Sequence, residues 1–436
     1  MSLQPSRRPC SHPLYQVIYR FAGRDASTEY NEVHAPSLIR STLPAKDHIG
    51  NLDASTVTEA WTRANSPPEA EPGSAPESAA LPPLSSIINL DDFALAAERS
   101  LPAKAWAYIS SGSNANITRD ANSAVLQRIL LRPRVLRPVG AVRTATALFG
   151  SPLALPLYIS PMGAARTGGP GAELDLARAA AARGIGYCFA TPASHPHGAI
   201  IDAFPAPAPG APGALWFQLY MDRDRAKSAA ALARVAAAPG KVRAVLLTVD
   251  LPVVSKREAD ERVRMAAVDV NANTGVAVGV PADGRGGGFA RRTGAFIDPD
   301  LGWADVAWAR RAAGGLPLLL KGVQTAEDAR RALEAGVDGI VLSNHGGRAA
   351  DTAAPAILTL LELHRCCPEV LAAMPVLVDG GFRRGSDVVK ALCLGAAAVG
   401  IGRPFMYALG YGQEGVEHAI DGKFCPPLAG RGGRCR

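Results

Sequence analysis

A histidine followed three residues later by an arginine, with two glycines between them, closes the stretch Ser343-Asn344-His345-Gly346-Gly347-Arg348. A neutral imidazole takes a proton near neutral pH, and an arginine fork grips a carboxylate. The pair therefore suits proton abstraction from an anionic substrate. A single histidine in such a turn is most often just solvated, so the other ionisable groups decide. Asp250 ends the apolar run "AVLLTVD", where a carboxylate can orient an imidazole and raise its pKa, and Arg257 stands just beyond. Lys321 ends "LPLLLK"; an ammonium buried there needs a partner, which predicts an anionic ligand atom beside it. Gln218 and Tyr220 close "LWFQLY", and Thr248 precedes Asp250 by two. Two turns, "VDGGFRRG" with Asp379, Gly381 and Arg383 and "GIGRPF" with Gly402 and Arg403, have the make-up of a phosphate site. Glycine lets backbone N–H groups approach phosphate oxygens, and arginine adds a charged fork.

Side chains this far apart meet only if the intervening chain delivers them to one place. Each ends or follows a short, near-continuous apolar run, and there are eight such runs: 157–160, 185–190, 215–220, 244–250, 318–321, 340–343, 376–379 and 398–402. Unbroken hydrophobicity is what strands buried on both faces of a parallel sheet require. Ala-rich helical stretches alternate with them. "TAEDARRALEAG" opens on a Thr325-x-x-Asp328 cap and ends at Gly336, "GSDVVKALCLG" lies between Gly385 and Gly395, and an earlier helix, "NLDDFALAAERSL", has Asn89 as N-cap. Eight strand–helix repeats predict an α/β fold closed as a TIM (β/α)₈ barrel; an open doubly wound sheet accounts less well for that count. Barrel active sites form where strands end, which is where the candidate groups fall.

The chain has 436 residues, room for a barrel of ~250 and more besides. Residues 1–50 are mixed and polar; residues 51–83, rich in Ser, Ala, Glu and Pro, read as a flexible linker; residues 84–436 carry the barrel pattern. Basic residues outnumber acidic ones 46 to 39, a net +7 scattered without like-charge blocks. That excludes a nucleic-acid partner and suits anionic substrates and a phosphate-bearing cofactor. Seven cysteines lack metal-ligand or secreted-framework spacing, and no secretory leader is recognisable. The expected location is intracellular, cytoplasmic or mitochondrial. With no apolar run of the ~18 residues a span needs, no membrane partner is expected.

The motifs "AWAYISSG", "WFQLY", "TVDLPVVSKRE", "LLLKGVQTAEDA", "GIVLSNHGGRAAD", "VLVDGGFRRGSDVVKALCLGA" and "GIGRPF" occur in that order. From about residue 84 to 420 the chain resembles the FMN-dependent 2-hydroxy-acid oxidoreductases, the family of glycolate oxidase, lactate oxidase, mandelate dehydrogenase and flavocytochrome L-lactate dehydrogenase. The resemblance implies FMN as cofactor and oxidation of a small L-2-hydroxy acid to a 2-oxo acid. Electrons would pass to an external acceptor, cytochrome c or O₂, and the family assembles as a homotetramer. It implies His345 as base with Asp250 as partner, Arg348 and Tyr108 on the substrate carboxylate, Tyr220 on the hydroxyl and Arg257 as added positive charge. It places Lys321 at the flavin N1–O2 edge, Gln218, Thr248 and Ser343 around the flavin, and Asp379, Gly381, Arg383, Gly402 and Arg403 at the ribityl phosphate. Hydride transfer and a carbanion route both remain compatible. An H₂O₂-producing oxidase is the alternative within enzymes; an inert barrel with a binding role is the alternative outside them.

Several positions depart from the family pattern. Ile109 replaces a second tyrosine after Tyr108, Pro161-Met162-Gly163 replaces a loop with threonine and alanine, and Ala190 stands for a serine. Pro192 stands where relatives have tryptophan or leucine, so Gly163 and Pro192 predict a remodelled substrate pocket. The N-terminal segment resembles part of a cytochrome b5-type domain, with His12 and His34 as the candidate haem-iron ligands. The two glycines that flank the first ligand are absent at His12, and only eleven residues precede it. Ordering that fragment around haem b would cost ~1–2 kcal/mol per residue in backbone entropy with little apolar burial in return, so no stoichiometric haem is expected. After Ile420 the helical period ceases, which predicts a truncated eighth helix and a poorly covered side of the barrel.

Overall fold

The eight apolar runs form eight strands: β1 Leu157–Ile159, β2 Gly186–Ala190, β3 Ala214–Leu219, β4 Val242–Thr248, β5 Leu318–Val323, β6 Gly339–Leu342, β7 Val376–Asp379 and β8 Ala398–Ile401. The structure is a computed structural model describing residues 58, 80–138, 140–205, 210–238, 240–263, 270–271, 276–277, 289–290, 294 and 296–424. His12, His34 and nearly all of residues 1–79 lie outside the described residues. Each strand pairs in parallel with the next in sequence, and β8 returns to β1 through Val399–Leu157 and Gly400–Tyr158. The sheet is closed, so the fold is a (β/α)₈ barrel and the open-sheet alternative falls away.

Period-2 alternation gives each strand two apolar jobs. Tyr158, Cys188, Trp216, Leu246, Leu319, Val341 and Leu377 point inward and form one cluster. A hairpin of Thr146–Leu148 and Ser151–Leu153 plugs its bottom with Leu148 and Leu153, and Phe149 meets the Trp216 ring edge-on at 5.5 Å. The alternate residues, among them Leu157, Ile159, Tyr187, Phe189 and Phe217, face outward against the helices. Strands β2, β3 and β5 have no exposed position.

Among the described residues three α-helices precede the barrel: α1 Leu90–Ser100, α2 Ala103–Ser110 and α3 Ile117–Arg128. The rest follow strands: α4 Ala172–Arg183, α5 His197–Ala203, α6 Arg225–Ala236, α7 Glu258–Arg262, α8 Trp303–Ala312, α9 Ala326–Glu334, α10 Ala356–Cys366, α11 Pro368–Ala373, α12 Gly385–Cys393, α13 Arg403–Ala408 and α14 Gly412–Phe424. Asn89 caps α1, accepting from the Asp91 and Asp92 N–H groups, while Asp92 reaches back in a capping box. Thr325 caps α9 through the Asp328 N–H at 3.1 Å.

Two details differ from the sequence expectation. Helix α14 does not stop at Ile420 but runs to Phe424. Val416, Ala419 and Ile420 are buried, α14 packs along α4, and Arg183 of α4 pairs with Glu417 at 3.0 Å and Asp421 at 2.6 Å. A polar residue on the outer face extends the helix without needing an apolar partner. The last residues of the expected linker also belong to the barrel: Leu81 packs on the core and the Tyr411 hydroxyl donates to the Pro82 carbonyl at 2.8 Å.

Candidate active site

A cavity of about 560 Å³ opens at the C-terminal ends of the strands, between them and helices α2 and α3. It is the place the strand-end groups were expected to share. Tyr108, Gln218, Tyr220, Thr248, Arg257, Lys321, His345, Arg348, Asp379, Gly381, Arg383, Gly402 and Arg403 all line it.

At its centre, Asp250 Oδ1 lies 3.1 Å from His345 Nδ1, and the Tyr220 hydroxyl lies 3.2 Å from His345 Nε2. The Asp250 side chain is fully enclosed. Burial alone would raise its carboxyl pKa, but the His345 ring and the nearby Lys321 ammonium hold it below the ordinary value. Burial is also the first cause that lowers the His345 pKa; Asp250 opposes it, and Lys321 and Arg257 add to it. The result is an ionised Asp250 and a neutral imidazole at pH 7, with Nε2 facing the cavity side of the pair. This is the protonation state a general base needs. Burial first, then the Asp250 charge, raises the Tyr220 phenol, so it remains a hydrogen-bond donor.

Lys321 is enclosed beneath His345, bonded to Ser343 Oγ at 3.1 Å and 3.5 Å from Asp379 Oδ2. Burial presses its pKa down, but Asp379 and then Asp250 outweigh that and keep it charged. Ser343, expected around the flavin, is buried next to Lys321. It lies behind Lys321 with no exposed surface, and its hydroxyl oxygen accepts from Lys321 and from the His345 N–H at 3.0 Å. Through these bonds it supports two groups that line the cavity. Asp250 likewise stands behind His345.

Arg348, expected on the substrate carboxylate, and Arg257, expected as added positive charge, both line the cavity and feel one another's charge. Burial first, then the Arg348 guanidinium, lowers Arg257 to about 10, so it is charged at neutral pH. Its buried Nε has no hydrogen-bond partner. Arg348 sits over the Tyr108 ring at 4.9 Å and donates to the Tyr108 and Ile109 carbonyls at 2.7 and 3.3 Å. Arg403 and Arg119 both donate to the Ser110 carbonyl, at 3.3 and 3.2 Å. Three cations thus converge on the negative C-terminal end of α2, and that attraction holds Tyr108 over the cavity.

The residues fit FMN. At the phosphate end, burial lowers Arg403 to about 9, with the guanidiniums of Arg348, Arg383 and Arg119 adding to the effect and Tyr407 opposing it. Like charges this crowded call for an anion. Arg383 Nη1 is buried without a partner, as is Asp379 Oδ1. Gly380 and Gly381 have φ of 96° and 87°, and a Cβ on Gly381 would lie 2.5 Å from the Asn122 backbone, so only glycine fits there. At the ring end, Gln218 Nε2 donates to Thr248 Oγ1 at 2.9 Å, a buried polar edge beside Lys321. Among the described residues no cluster of His, Cys, Asp and Glu could hold a metal ion.

Four supporting residues were not singled out in the sequence. Thr191 fixes Gln218 and Tyr220: its N–H and hydroxyl donate to Gln218 Oε1 and the Gln218 carbonyl, and its oxygen accepts from the Tyr220 N–H. The fully buried Glu173 accepts from the Ala165 and Ser194 N–H groups at 3.2 and 2.8 Å, tying together the loops that carry Gly163 and Pro192. Those two residues do pack together, since a Cβ on Gly163 would lie 2.9 Å from Pro192 Cγ. Asn122 and Ser123 of α3 join the catalytic and glycine-rich loops. The available signal was a polar residue at a core position of an amphipathic helix.

Fold and site together define a flavin-dependent (β/α)₈ oxidoreductase. The chain belongs to the FMN-dependent dehydrogenase family, which it matches over residues 97–422. It is 36% identical to the L-lactate dehydrogenase (cytochrome) of Saccharomyces cerevisiae over 426 residues, 94% of this chain and 70% of that protein. It is 38% identical to an L-lactate oxidase of Nostoc sp. over 347 residues, 77% of this chain and 91% of that one. The flavin-binding domain of baker's yeast flavocytochrome b2 superimposes with a TM-score of 0.68 at 37% identity, covering 78% of this chain and 81% of that one.

Proposed function

We propose that this protein oxidises a small L-2-hydroxy acid, lactate-like in size, to the 2-oxo acid and passes the electrons to an external acceptor. The observation that carries the reading is the Tyr220–His345–Asp250 chain in one cavity with Lys321, Arg257 and Arg348. Oxidation of a secondary alcohol removes two electrons and two protons; FMN, when bound, supplies the two-electron acceptor. The chain's own residues do the rest. The guanidiniums of Arg257 and Arg348 bind the substrate carboxylate, whose charge relieves their mutual repulsion. The Tyr220 hydroxyl orients the substrate hydroxyl. His345 takes one proton at Nε2, and the developing imidazolium is stabilised by Asp250 at Nδ1. Arg383, Arg403 and the Gly380–Gly381 turn hold the phosphate, and Lys321 supplies positive charge at the ring. His345, Asp250, Tyr220, Arg348, Tyr108 and Arg257 make up the catalytic set; Gln218, Thr248, Lys321, Ser343, Asp379, Gly381, Arg383, Gly402 and Arg403 make up the cofactor set.

The acceptor is cytochrome c or O₂. Identity to a cytochrome-linked dehydrogenase extends over more of the chain than identity to the oxidases, which supports the dehydrogenase reading. Stoichiometric H₂O₂ in air would favour the oxidase instead. Assembly as a homotetramer and an intracellular, cytoplasmic or mitochondrial, location complete the proposal. Among the described residues no helix is long and apolar enough to cross a membrane. Anaerobic mixing of the FMN-loaded protein with L-lactate, glycolate and L-mandelate tests the function: bleaching by at least one of them is expected, and a spectrum unmoved by all three contradicts it.

A further inference from the structure

The turn that carries the base holds three successive residues in the left-handed region: His345 at φ 60°, Gly346 at 62° and Gly347 at 78°. Glycine adopts this conformation freely; a histidine does so under strain. Such a turn keeps its shape only when its surroundings over-determine it. Ser343 contributes one bond to the His345 N–H. Ser113 and Arg403 bond to the Gly347 and Gly346 carbonyls, and a further bond comes from the side chain of Asn344, which is fully buried. Its side-chain carbonyl accepts from the Gly347 N–H at 3.0 Å and its amide donates to the Ala354 carbonyl at 2.9 Å.

The remaining capacity of Asn344 is met by one distant residue. Asn122 donates from Nδ2 to Asn344 Oδ1 at 2.9 Å and accepts from Asn344 Nδ2 at 2.9 Å, a reciprocal amide pair closed off from solvent. Asn122 lies on the buried face of α3, with Thr118 and Leu126 one turn to either side. A leucine there would serve the core at no polar cost, whereas a buried carboxamide is tolerated only when fully bonded. The same stretch of α3 also underlies the glycine-rich loop. The Ser123 hydroxyl donates to the Gly381 carbonyl at 3.2 Å, and the Asn122 main chain is the surface against which Gly381 lies.

We propose that Asn122 is a positioning residue of this active site: its side chain sets the His345 turn through Asn344, while its main chain is the floor of the Gly380–Gly381 loop. The base and the phosphate loop are thereby held in register from one helix. The inference rests on the reading above of His345 as base and of that loop as phosphate site.

Asn122→Ala removes the side chain and leaves the floor. With FMN loaded and substrate saturating, flavin reduction by rapid mixing is expected to slow about 10- to 100-fold, the scale set by a misplacement of ~1 Å at a reacting group. Leu126→Ala, on the same helix face but without contact to Asn344, serves as the control for destabilisation and should leave that rate near wild type. Asn122→Asp gives a second readout in case the alanine variant does not fold. An ionised carboxyl can accept from Asn344 but cannot donate to it; a protonated one does both. Its reduction rate relative to wild type should therefore rise as pH falls. Asn122→Ala and Leu126→Ala that both reduce the flavin at wild-type speed, or an Asn122→Asp ratio flat with pH, would overturn the proposal alone. A wild-type protein that no 2-hydroxy acid bleaches would overturn it together with the function it rests on.

Discussion

Asp250→Asn removes a charge and almost nothing else. The carboxylate is enclosed, bonded through Oδ1 to His345 Nδ1 at 3.1 Å, and the amide is isosteric. When Nε2 takes the substrate proton, the ring becomes a cation about 4 Å from the carboxylate's charge centre. At an effective dielectric near 20 that attraction amounts to about 4 kcal/mol. Since ~1.4 kcal/mol is a factor of ten, the limiting rate of flavin reduction should fall about 10³-fold. Lys321 keeps its charge through Asp379, which acts on it more strongly than Asp250 does, so FMN affinity should change little. The pH profile gives the sign. Asp250 is the chief influence raising the His345 pKa against burial, so the variant's acid limb moves to still lower pH. Anaerobic stopped-flow at several pH values, with FMN content checked by its visible spectrum, measures both. A variant that reduces within tenfold of wild type, with an unmoved acid limb, would refute the assignment of Asp250 as the partner of the base.

In the wild type, the rate of flavin reduction at low substrate should stay level from pH 8 down past 6.5 and fall only below it, because a base with lowered pKa stays neutral until then. His345→Ala should slow reduction ~10²–10⁴-fold while retaining FMN, whereas Gly381→Ala should lose FMN, since a Cβ meets the Asn122 backbone at 2.5 Å in a left-handed conformation; ultrafiltration of free flavin separates the two. Purified full-length protein should show flavin bands without a stoichiometric Soret band, and one haem per chain abolished by His34→Ala would reverse that expectation.

The barrel was legible because parallel strands buried on both faces leave uninterrupted apolar runs, and each run fell within two residues of its strand. The cavity residues were legible for the same reason: a polar side chain at the end of an apolar run has nowhere else to go. What escaped is what depends on contacts between distant segments. Thr191, Glu173 and Asn122 act by bonding to backbone or amide groups 8 to 222 residues away, and no local pattern announces such partners. The final turn of α14 was missed because Asp421 stabilises it through Arg183 of another helix and not through apolar periodicity.

The central claim is that the Tyr220–His345–Asp250 chain and the arginine pair serve FMN-dependent oxidation of a 2-hydroxy acid. An anaerobic titration of the FMN-loaded protein with an L-2-hydroxy acid, followed in the flavin band with the organic product quantified, tests it most directly. The account predicts complete bleaching and one 2-oxo acid formed per flavin reduced, both slowed ~10²–10⁴-fold in His345→Ala. An intact flavin spectrum with no 2-oxo acid, or bleaching that proceeds at the same rate without His345, would contradict it.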